Sequence, residues 1–306
     1  MKYLVLGGKG FIGSHLVKAL INDGHSVRVF DRNASESEEM SENIEYISGD
    51  FTDIFAIAEA LTGIDVVYHL ISTTVPSTSN LDMVNDIETN LVSTLRLLKT
   101  MVSVGVNKIV FLSSGGTVYG NPKMNPIPET HPLNPICSYG IVKVAIEKYL
   151  FLFNQLHGVE YNILRVSNPY GANQQHYGVQ GVIPTFLLKA LRNEPITIWG
   201  DGTIERDYIY INDLVCASVK AGKEMFNDVF NVGSGVLTSI NEIINTIEEV
   251  SNLKLKLNNL PQRNFDVQSI SLDCLYAKTK FDWTPRCGLN EGILENWEWL
   301  KNHELV

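Results

Sequence analysis

Two side chains near the middle of the chain have the types and the spacing to move a proton. Residues 138–143 read Ser-Tyr-Gly-Ile-Val-Lys, inside a stretch whose apolar spacing predicts a helix from about residue 135 or 138 to 157. Tyr139 and Lys143 stand at i and i+4, so both project from one face of that helix. An ammonium beside a phenol favours the phenolate and lowers its pKa. A phenolate so held can take the proton of a substrate alcohol as hydride leaves the carbon. Tyr and Lys at this spacing are also common on solvated helix faces, so the pair gains meaning only from the rest of the chain.

The first twenty residues supply that meaning. Lys2–Leu6 alternates and then runs apolar, as a buried strand does, and Gly7, Gly8, Gly10 and Gly13 follow at once. From Phe11 the apolar residues Phe11, Ile12, Leu16, Val17 and Leu20 recur at helical spacing. Strand, G-x-x-G-x-x-G turn and helix form the opening half of a βαβ unit. Glycine is needed because so tight a turn visits backbone angles closed to other residues, and because a phosphate must approach the main chain. The helix N-terminus offers unpaired N–H groups and a partial positive charge to a pyrophosphate. A second strand, 25–30, ends in Asp31, whose carboxylate can hold adenosine ribose hydroxyls. A carboxylate there repels a 2′-phosphate, so NAD is expected over NADP, with neighbouring Arg32 pulling the other way. A bound nicotinamide's positive charge adds to the effect of the ammonium on Tyr139, and Lys143 can also hold the nicotinamide ribose.

The intervening sequence must position these groups. Strands are predicted at Ile44–Ser48, 65–70, 108–113 and 159–166, and helices at Ile54–Leu61 and, long and amphipathic, at 81–104. The stripe of that helix is Val84, Ile87, Leu91, Leu95, Leu98 and Val102. Residues 33–43 read as an exposed loop or short helix, 120–135 as a Pro- and Gly-rich loop, and 168–171 as a turn. Beyond these, a helix at 183–191, a strand at Ile196–Trp199, and a βα unit at 207–232 returning to the sheet are expected. The remainder mixes two or three helices with loops. The alternation predicts an α/β protein: a Rossmann-type, doubly wound parallel sheet with a smaller mixed α/β C-terminal domain for substrate. The nucleotide domain is expected over 1–171, joined by about 207–235, and the substrate domain over 172–206 and 236–306.

The bulk properties exclude other classes. At 306 residues, 44% hydrophobic and 19% charged, the chain can bury a substantial core. A net charge of −10 with no basic block argues against nucleic acid or an anionic membrane surface as partner. Cys137, Cys216, Cys274 and Cys287 are scattered without a CxxC pair, which points to free thiols in a reducing cytoplasm. The seven histidines show no ligand spacing with one another, so no metal is expected. The N-terminal apolar stretch is broken by Gly7 and Gly8, and no run approaches the ~18 apolar residues of a membrane span.

Taken together, GGKGFIG, Asp31, SGD ending in Asp50, His69-Leu70, ETNLVSTLRLL around Asn90, SSGGTVYG, SYGIVK, LRVSNPYG, WGDGTIERDYIYINDL, FNVGSG and PQRNFDV resemble the extended short-chain dehydrogenases/reductases. More narrowly, the chain resembles the nucleotide-sugar epimerase/dehydratase family, near the UDP-glucose 4-epimerase type, over essentially its whole length. The resemblance implies that Gly7, Gly10, Phe11, Ile12 and Gly13 lie on the NAD pyrophosphate. It implies that Asp50 and Phe51 meet the adenine, that Leu70, Ile71 and Ser72 line the cofactor cleft, that Asn90 and Ser113 support it, and that Ser167 lies close to the nicotinamide. It implies further that Asn168 bonds a substrate phosphate and that Arg206 and Arg263 clamp a diphosphate, with Tyr208 and Asp266 beside them. Thr197, Ile198 and Trp199 pack beside a uracil in the same picture. Read alone, either arginine is more simply a surface charge.

One position departs from the family. Four residues before the tyrosine of the VYG turn, where a catalytic Ser or Thr is usual, stands Gly115. Thr117 and Ser114 are the two candidates to supply the missing hydroxyl. The Asp-Glu pair of the 4,6-dehydratases is replaced by Gly116-Thr117, which disfavours dehydration. The resemblance therefore implies a UDP-hexose or UDP-N-acetylhexosamine 4-epimerase. A reductase or dehydrogenase of a nucleotide-linked keto sugar and a non-catalytic NAD-binding protein remain as alternatives. Ile270, intermediate in size, stands where bulky aromatics exclude N-acetyl groups. The helices 81–104 and 135–157 are those that pair in family dimers, so a homodimer is expected, though burial within the monomer fits the pattern equally.

Overall fold

The computed structural model describes residues 1–34, 43–174, 181–261 and 267–304. By internal contacts the chain divides into two compact units: Met1–Gly120, Pro132–Arg165 and Val215–Phe230 form the first, and Asn121–His131, Val166–Leu214 and Asn231–Val306 the second.

The first unit opens with β1 (Lys2–Leu6), α1 (Phe11–Asn22), β2 (Ser26–Asp31), β3 (Ile44–Ser48), α2 (Ile54–Leu61) and β4 (Val66–His69). Helix α3 (Met83–Asp86) passes through a π-helical turn (Ile87–Val92) into α4 (Ser93–Val104), followed by β5 (Lys108–Ser114), α5 (Ser138–His157) and β6 (Glu160–Val166). The second unit holds β7 (Asn168–Tyr170), α6 (Val182–Leu191), β8 (Ile196–Trp199) and β9 (Glu205–Tyr210). The chain then runs through α7 (Ile211–Lys223), β10 (Asp228–Val232), β11 (Leu237–Ser239), α8 (Ile240–Ser251), β12 (Leu257–Leu260), β13 (Ser269–Ile270), α9 (Leu275–Phe281) and α10 (Leu289–Glu304).

The expected Rossmann-type sheet is present, seven strands in the order β10-β6-β5-β4-β1-β2-β3. β1 lies parallel to both β2 and β4, so the strand order reverses between β1 and β4. In open α/β sheets a ligand crevice forms outside the carboxyl ends of the strands at such a reversal. The glycine loop leaves β1 there, and Leu70-Ile71-Ser72 leave β4. Alternate strand residues Leu4 and Leu6 face a core shared with Ile57 and Leu61 of α2, Leu97, Leu98 and Met101 of α4, and Val142, Ile146 and Leu150 of α5. On the other face the Tyr68 hydroxyl donates to the Ser218 carbonyl of α7 at 3.0 Å.

Helix α1 packs closely on its loop. A Cβ at Gly13 would stand 2.1 Å from the Gly7 carbonyl oxygen and 2.7 Å from the Gly8 Cα, so no other residue fits. Helix α2 starts where the Asp53 carboxylate accepts from the Phe55 and Ala56 N–H groups, which caps its first turn.

The helix expected over 81–104 begins at Met83 and is interrupted by the π-helical turn. Hydrogen bonding from i to i+5 inserts a residue and rotates the helix beyond it. The predicted stripe is not buried as one face: Leu98 is buried, whereas Val84, Ile87 and Val102 are exposed. A second difference concerns residues 207–211, expected to return to the large sheet. Only β10 does so. β9 is central to a separate four-stranded sheet, flanked by β11 and β13 and paired with β7. Residues 168–170, expected as a turn, are the strand β7, with Asn168 opposite Tyr208. The second unit is completed by the β12-β8 pair and by packing of α6, α8 and α10.

Candidate active site

The carboxyl end of β1 is built to accept an anion. Gly10 is the N-cap of α1 and no side chain caps the helix. Leu70 and Ile71 lie against Gly7, the nearest atom being the Ile71 Cγ1 at 3.2 Å from where a Gly7 Cβ would stand. The Asp31 carboxylate is anchored by the N–H groups of Lys9 and Asn33, each at 3.2 Å, which joins the end of β2 to the loop. Arg32 is exposed, and Ser72 is an exposed residue whose hydroxyl donates to the Thr74 carbonyl at 3.1 Å. Asp50 accepts from the Thr52 N–H and hydroxyl at 2.8 and 2.6 Å, which holds its pKa below the usual value. The Phe51 ring is buried in the core, 5.0 Å from the His69 ring.

Asn90 sits in the π-helical turn, a feature that often marks functional sites. Its Oδ1 accepts from the Thr73 N–H at 2.9 Å, and its Nδ2 donates to the Thr73 hydroxyl at 2.7 Å and to the Asp86 Oδ1 at 2.9 Å. His69 ends β4, where burial takes its pKa down to about 3. Its Nε2 lies 2.8 Å from the Thr94 hydroxyl, which itself donates to the Asn90 carbonyl at 2.6 Å. The one hydroxyl proton being used there, Nε2 must carry its own and donate.

Tyr139 and Lys143 both emerge from the first turns of α5. The Lys143 ammonium donates to the Leu112 carbonyl at 2.9 Å, and lies 4.7 Å from the Phe111 ring centroid and 5.5 Å from that of Tyr139. Burial pulls its pKa down to about 8, against the opposing charges of Glu147 and Asp86. Part of the Tyr139 ring stays accessible, but its hydroxyl is deep, and burial pushes its pKa up to about 12. The lowering expected from the ammonium is not found: desolvation dominates, and Cys137 and Asp86 add to it. The Ser114 hydroxyl hydrogen-bonds the phenol and works the other way, favouring the phenolate.

The neighbouring hydroxyls differ. Ser113 donates to the Glu147 Oε1 at 2.5 Å, so this hydroxyl serves the protein interior. Thr117 Oγ1 is buried with no hydrogen-bond partner among the described residues. Sequence reasoning missed the ion pair behind Ser113: Arg165 Nη2 and Glu147 Oε2 lie 2.6 Å apart, with side chains 4% and 3% exposed. Arg165 also donates to the Tyr119 hydroxyl at 3.0 Å. Glu147 stands four residues after Lys143, a spacing that could have singled it out.

In the second unit, Asn168 donates from Nδ2 to the Asp207 carbonyl at 2.8 Å, and strand register places it opposite Tyr208, whose pKa burial raises to about 12. Arg206 donates from Nη1 to the Glu205 and Val267 carbonyls, both at 2.7 Å. Ile270 pairs with Arg206 between β13 and β9 and is buried. Thr197 and Trp199 lie on β8, with Trp199 exposed, and the Ser167 Oγ is buried without a partner among the described residues. Arg263 and Asp266 lie outside the described residues. Asp207 was not foreseen. Its buried carboxylate accepts from the Ser234 N–H and hydroxyl, both at 2.8 Å, and from the N–H groups of Gly235 and Leu272 at 3.1 and 3.2 Å. A Cβ at Gly233 would stand 2.4 Å from its Oδ2, which explains the glycine of FNVGSG.

These residues fit NAD. The uncapped start of α1, a loop that excludes any Cβ at Gly13, and a carboxylate at the end of β2 match a pyrophosphate and an adenosine ribose. No group of three or more His, Cys, Asp or Glu among the described residues is placed to hold a metal ion. None of their helices is long and apolar enough to cross a membrane.

The sheet order, the glycine loop at its switch point and the tyrosine–lysine helix are those of an NAD-dependent extended short-chain dehydrogenase/reductase. Within that class the chain belongs to the NAD dependent epimerase/dehydratase family, whose model matches residues 3–233. A UDP-glucose 4-epimerase of Mycolicibacterium smegmatis is 35% identical over 315 residues, covering 99% of each sequence. A dTDP-4-dehydro-6-deoxyglucose reductase of Escherichia coli is 35% identical over 303 residues, covering 95% of this chain and 94% of that protein. The crystal structure of the Thermotoga maritima UDP-glucose 4-epimerase with UDP-glucose matches with a TM-score of 0.92 at 36% identity, over 99% of each chain. The protein is an NAD-dependent epimerase of this family.

Proposed function

We propose that the protein interconverts the C4 epimers of a UDP-hexose or UDP-N-acetylhexosamine through a transient 4-keto sugar. The observation that carries this reading is the Tyr139–Lys143 pair, held on α5 with the Ser114 hydroxyl on the phenol, in the unit that also bears the glycine loop. Tyr139 removes the proton of the 4-hydroxyl and later returns it. Ser114 stabilises the phenolate by donating to it and stands in for the hydroxyl missing at Gly115, with Thr117 as the second candidate. Lys143, positive below about pH 8, lowers the energy of the phenolate and holds the cofactor ribose. NAD, when bound, takes up and gives back the hydride of C4.

In this reading the first unit, through Gly7, Gly10, Phe11, Ile12, Gly13, Asp31, Leu70, Ile71 and Asn90, holds NAD. The second unit holds the nucleotide diphosphate through Asn168, Arg206, Tyr208, Arg263 and Asp266, with Thr197 and Trp199 beside the base. The carbonyl bonds of Arg206 support its part, because they fix a guanidinium that can then take a phosphate in a set direction. The reading includes a cytoplasmic location, which the free thiols support. It also includes a homodimer through helices 81–104 and 135–157, supported by the exposed apolar side chains Val84, Ile87, Ile141, Phe151, Leu152 and Leu156.

The test is direct. Purified protein given UDP-galactose or UDP-N-acetylglucosamine, with no added cofactor, is expected to yield the 4-epimer by NMR and to release NAD on denaturation. A second reading, reduction of a nucleotide-linked keto sugar, is favoured by the Escherichia coli reductase relative. Consumption of external NAD(P)H with no 4-epimer from either sugar would establish it and reject the first.

A further inference from the structure

Asp86, the last residue of α3, is a fully buried carboxylate. Among the described residues it has no ion-pair partner. Burying an unpaired charge is costly unless hydrogen bonds replace its hydration. Three donors do so here. Thr74 Oγ1 and Asn90 Nδ2 reach its Oδ1 at 2.7 and 2.9 Å, and Ser138 Oγ reaches its Oδ2 at 2.6 Å. Ser138 is the first residue of α5 and precedes Tyr139. Its N–H donates in addition to the Asn80 Oδ1 at 2.9 Å. One carboxylate thus joins the strand-following segment 73–74, the π-helical turn and the helix that carries the catalytic pair. The junction continues through the Asn90 carbonyl and Thr94 to His69 at the end of β4.

We propose that Asp86 is a positioning residue for the proposed 4-epimerase reaction: its carboxylate docks the first turn of α5 onto the π-helical turn and fixes Tyr139 and Lys143 in place and in its field. An asparagine could make most of the same bonds at lower desolvation cost, so the charge itself calls for a role. Tyr139 faces Ser114 on β5, Cys137 before its own helix, and Asp86. Lys143 faces Glu147 on α5, whose charge is shared with Arg165 on β6, together with Asp86 and the neutral His69 on β4. Asp86 raises the pKa of both members of the pair. Removing its charge makes the phenol easier to ionise and the ammonium easier to lose.

The proposal rests on the epimerase reading, and its experiment separates the two. In the NAD-bound enzyme, the Tyr139 phenolate is titrated by ultraviolet difference spectroscopy against Tyr139→Phe, in the wild-type and Asp86→Asn backgrounds. The Asp86→Asn background is expected to titrate lower by about half to one pH unit, and the acid limb of kcat to move the same way. Asp86→Ala, which removes the junction as well, is expected to lower kcat about thirtyfold with KM within about threefold, and Ser138→Ala to lower kcat about fivefold. Should Asp86→Ala fail to fold, Asp86→Asn and Ser138→Ala carry the test. If the wild type makes no 4-epimer, the functional reading fails, while the phenolate shift still decides for or against Asp86. An unmoved phenolate titration, or wild-type kcat in both Asp86→Asn and Ser138→Ala, makes Asp86 scaffold only and overturns the proposal.

Discussion

The Ser114 hydroxyl hydrogen-bonds the Tyr139 phenol, and it does so from the residue immediately before the glycine that replaces the expected hydroxyl. β5 runs through Ser114, so its backbone is fixed by sheet pairing and its side chain needs no loop rearrangement to reach the phenol. Thr117 has a buried hydroxyl without a partner among the described residues, three residues further on. Ser114→Ala is expected to lower kcat about ten- to a hundredfold with NAD content unchanged, and Thr117→Val by less than about threefold. Tyr139→Phe should cost about a hundred- to ten-thousandfold. Steady-state rates on one UDP-sugar check all three; a larger loss in Thr117→Val than in Ser114→Ala would reverse the assignment.

Behind Lys143 the Glu147–Arg165 pair is buried on both sides and each partner is committed elsewhere too, Glu147 to Ser113 and Arg165 to Tyr119. Removing one member leaves the other charge without compensation. Arg165→Met or Glu147→Gln is therefore expected to destabilise the protein by about 3–5 kcal/mol, and the double variant by less than the sum. Urea unfolding of the three variants measures this. Additive losses would mean that the two side chains do not act as a unit.

Much of the first unit was legible because its signals are local. β3 and α2 begin and end where period and turn residues place them. The sheet that holds β9 was not legible, since a strand's period does not say which strand it will pair with. The π-helical turn left no mark either, because i to i+5 bonding and i to i+4 bonding use the same apolar residues. Tyr139 and Lys143 were found by spacing, whereas Asp86 and Arg165 gain their meaning only from partners 52 and 18 residues away.

The apolar face of α5 carries Ile141, Phe151 and Leu156, all more than half exposed, and Val84 on α3 is 66% exposed. Side chains of this size in one unit mark an interface more often than a solvated face. The wild type is expected to sediment with the mass of two chains, and Ile141→Glu/Phe151→Glu with the mass of one. A monomeric wild type removes the dimer from the reading.

Lys143 links activity to stability with a definite sign. Burial lowers its pKa from 10.5 to about 8, so between those values the unfolded chain binds more protons than the folded one. Stability contributed at this site therefore rises with pH through that window, and below pH 8 the cost of the buried ammonium is in full force. Lys143→Met removes the titration and leaves the Leu112 carbonyl without its donor. The stability of the wild type relative to Lys143→Met is expected to increase by about 3 kcal/mol between pH 7 and pH 10.5, read from urea midpoints across the range. The same titration bears on catalysis. As the ammonium is lost near pH 8 the phenolate loses its cation, so kcat of the wild type should fall on the alkaline side of that value. A stability difference that does not change with pH would show that Lys143 keeps an ordinary pKa, and the alkaline limb would then have to belong to another group.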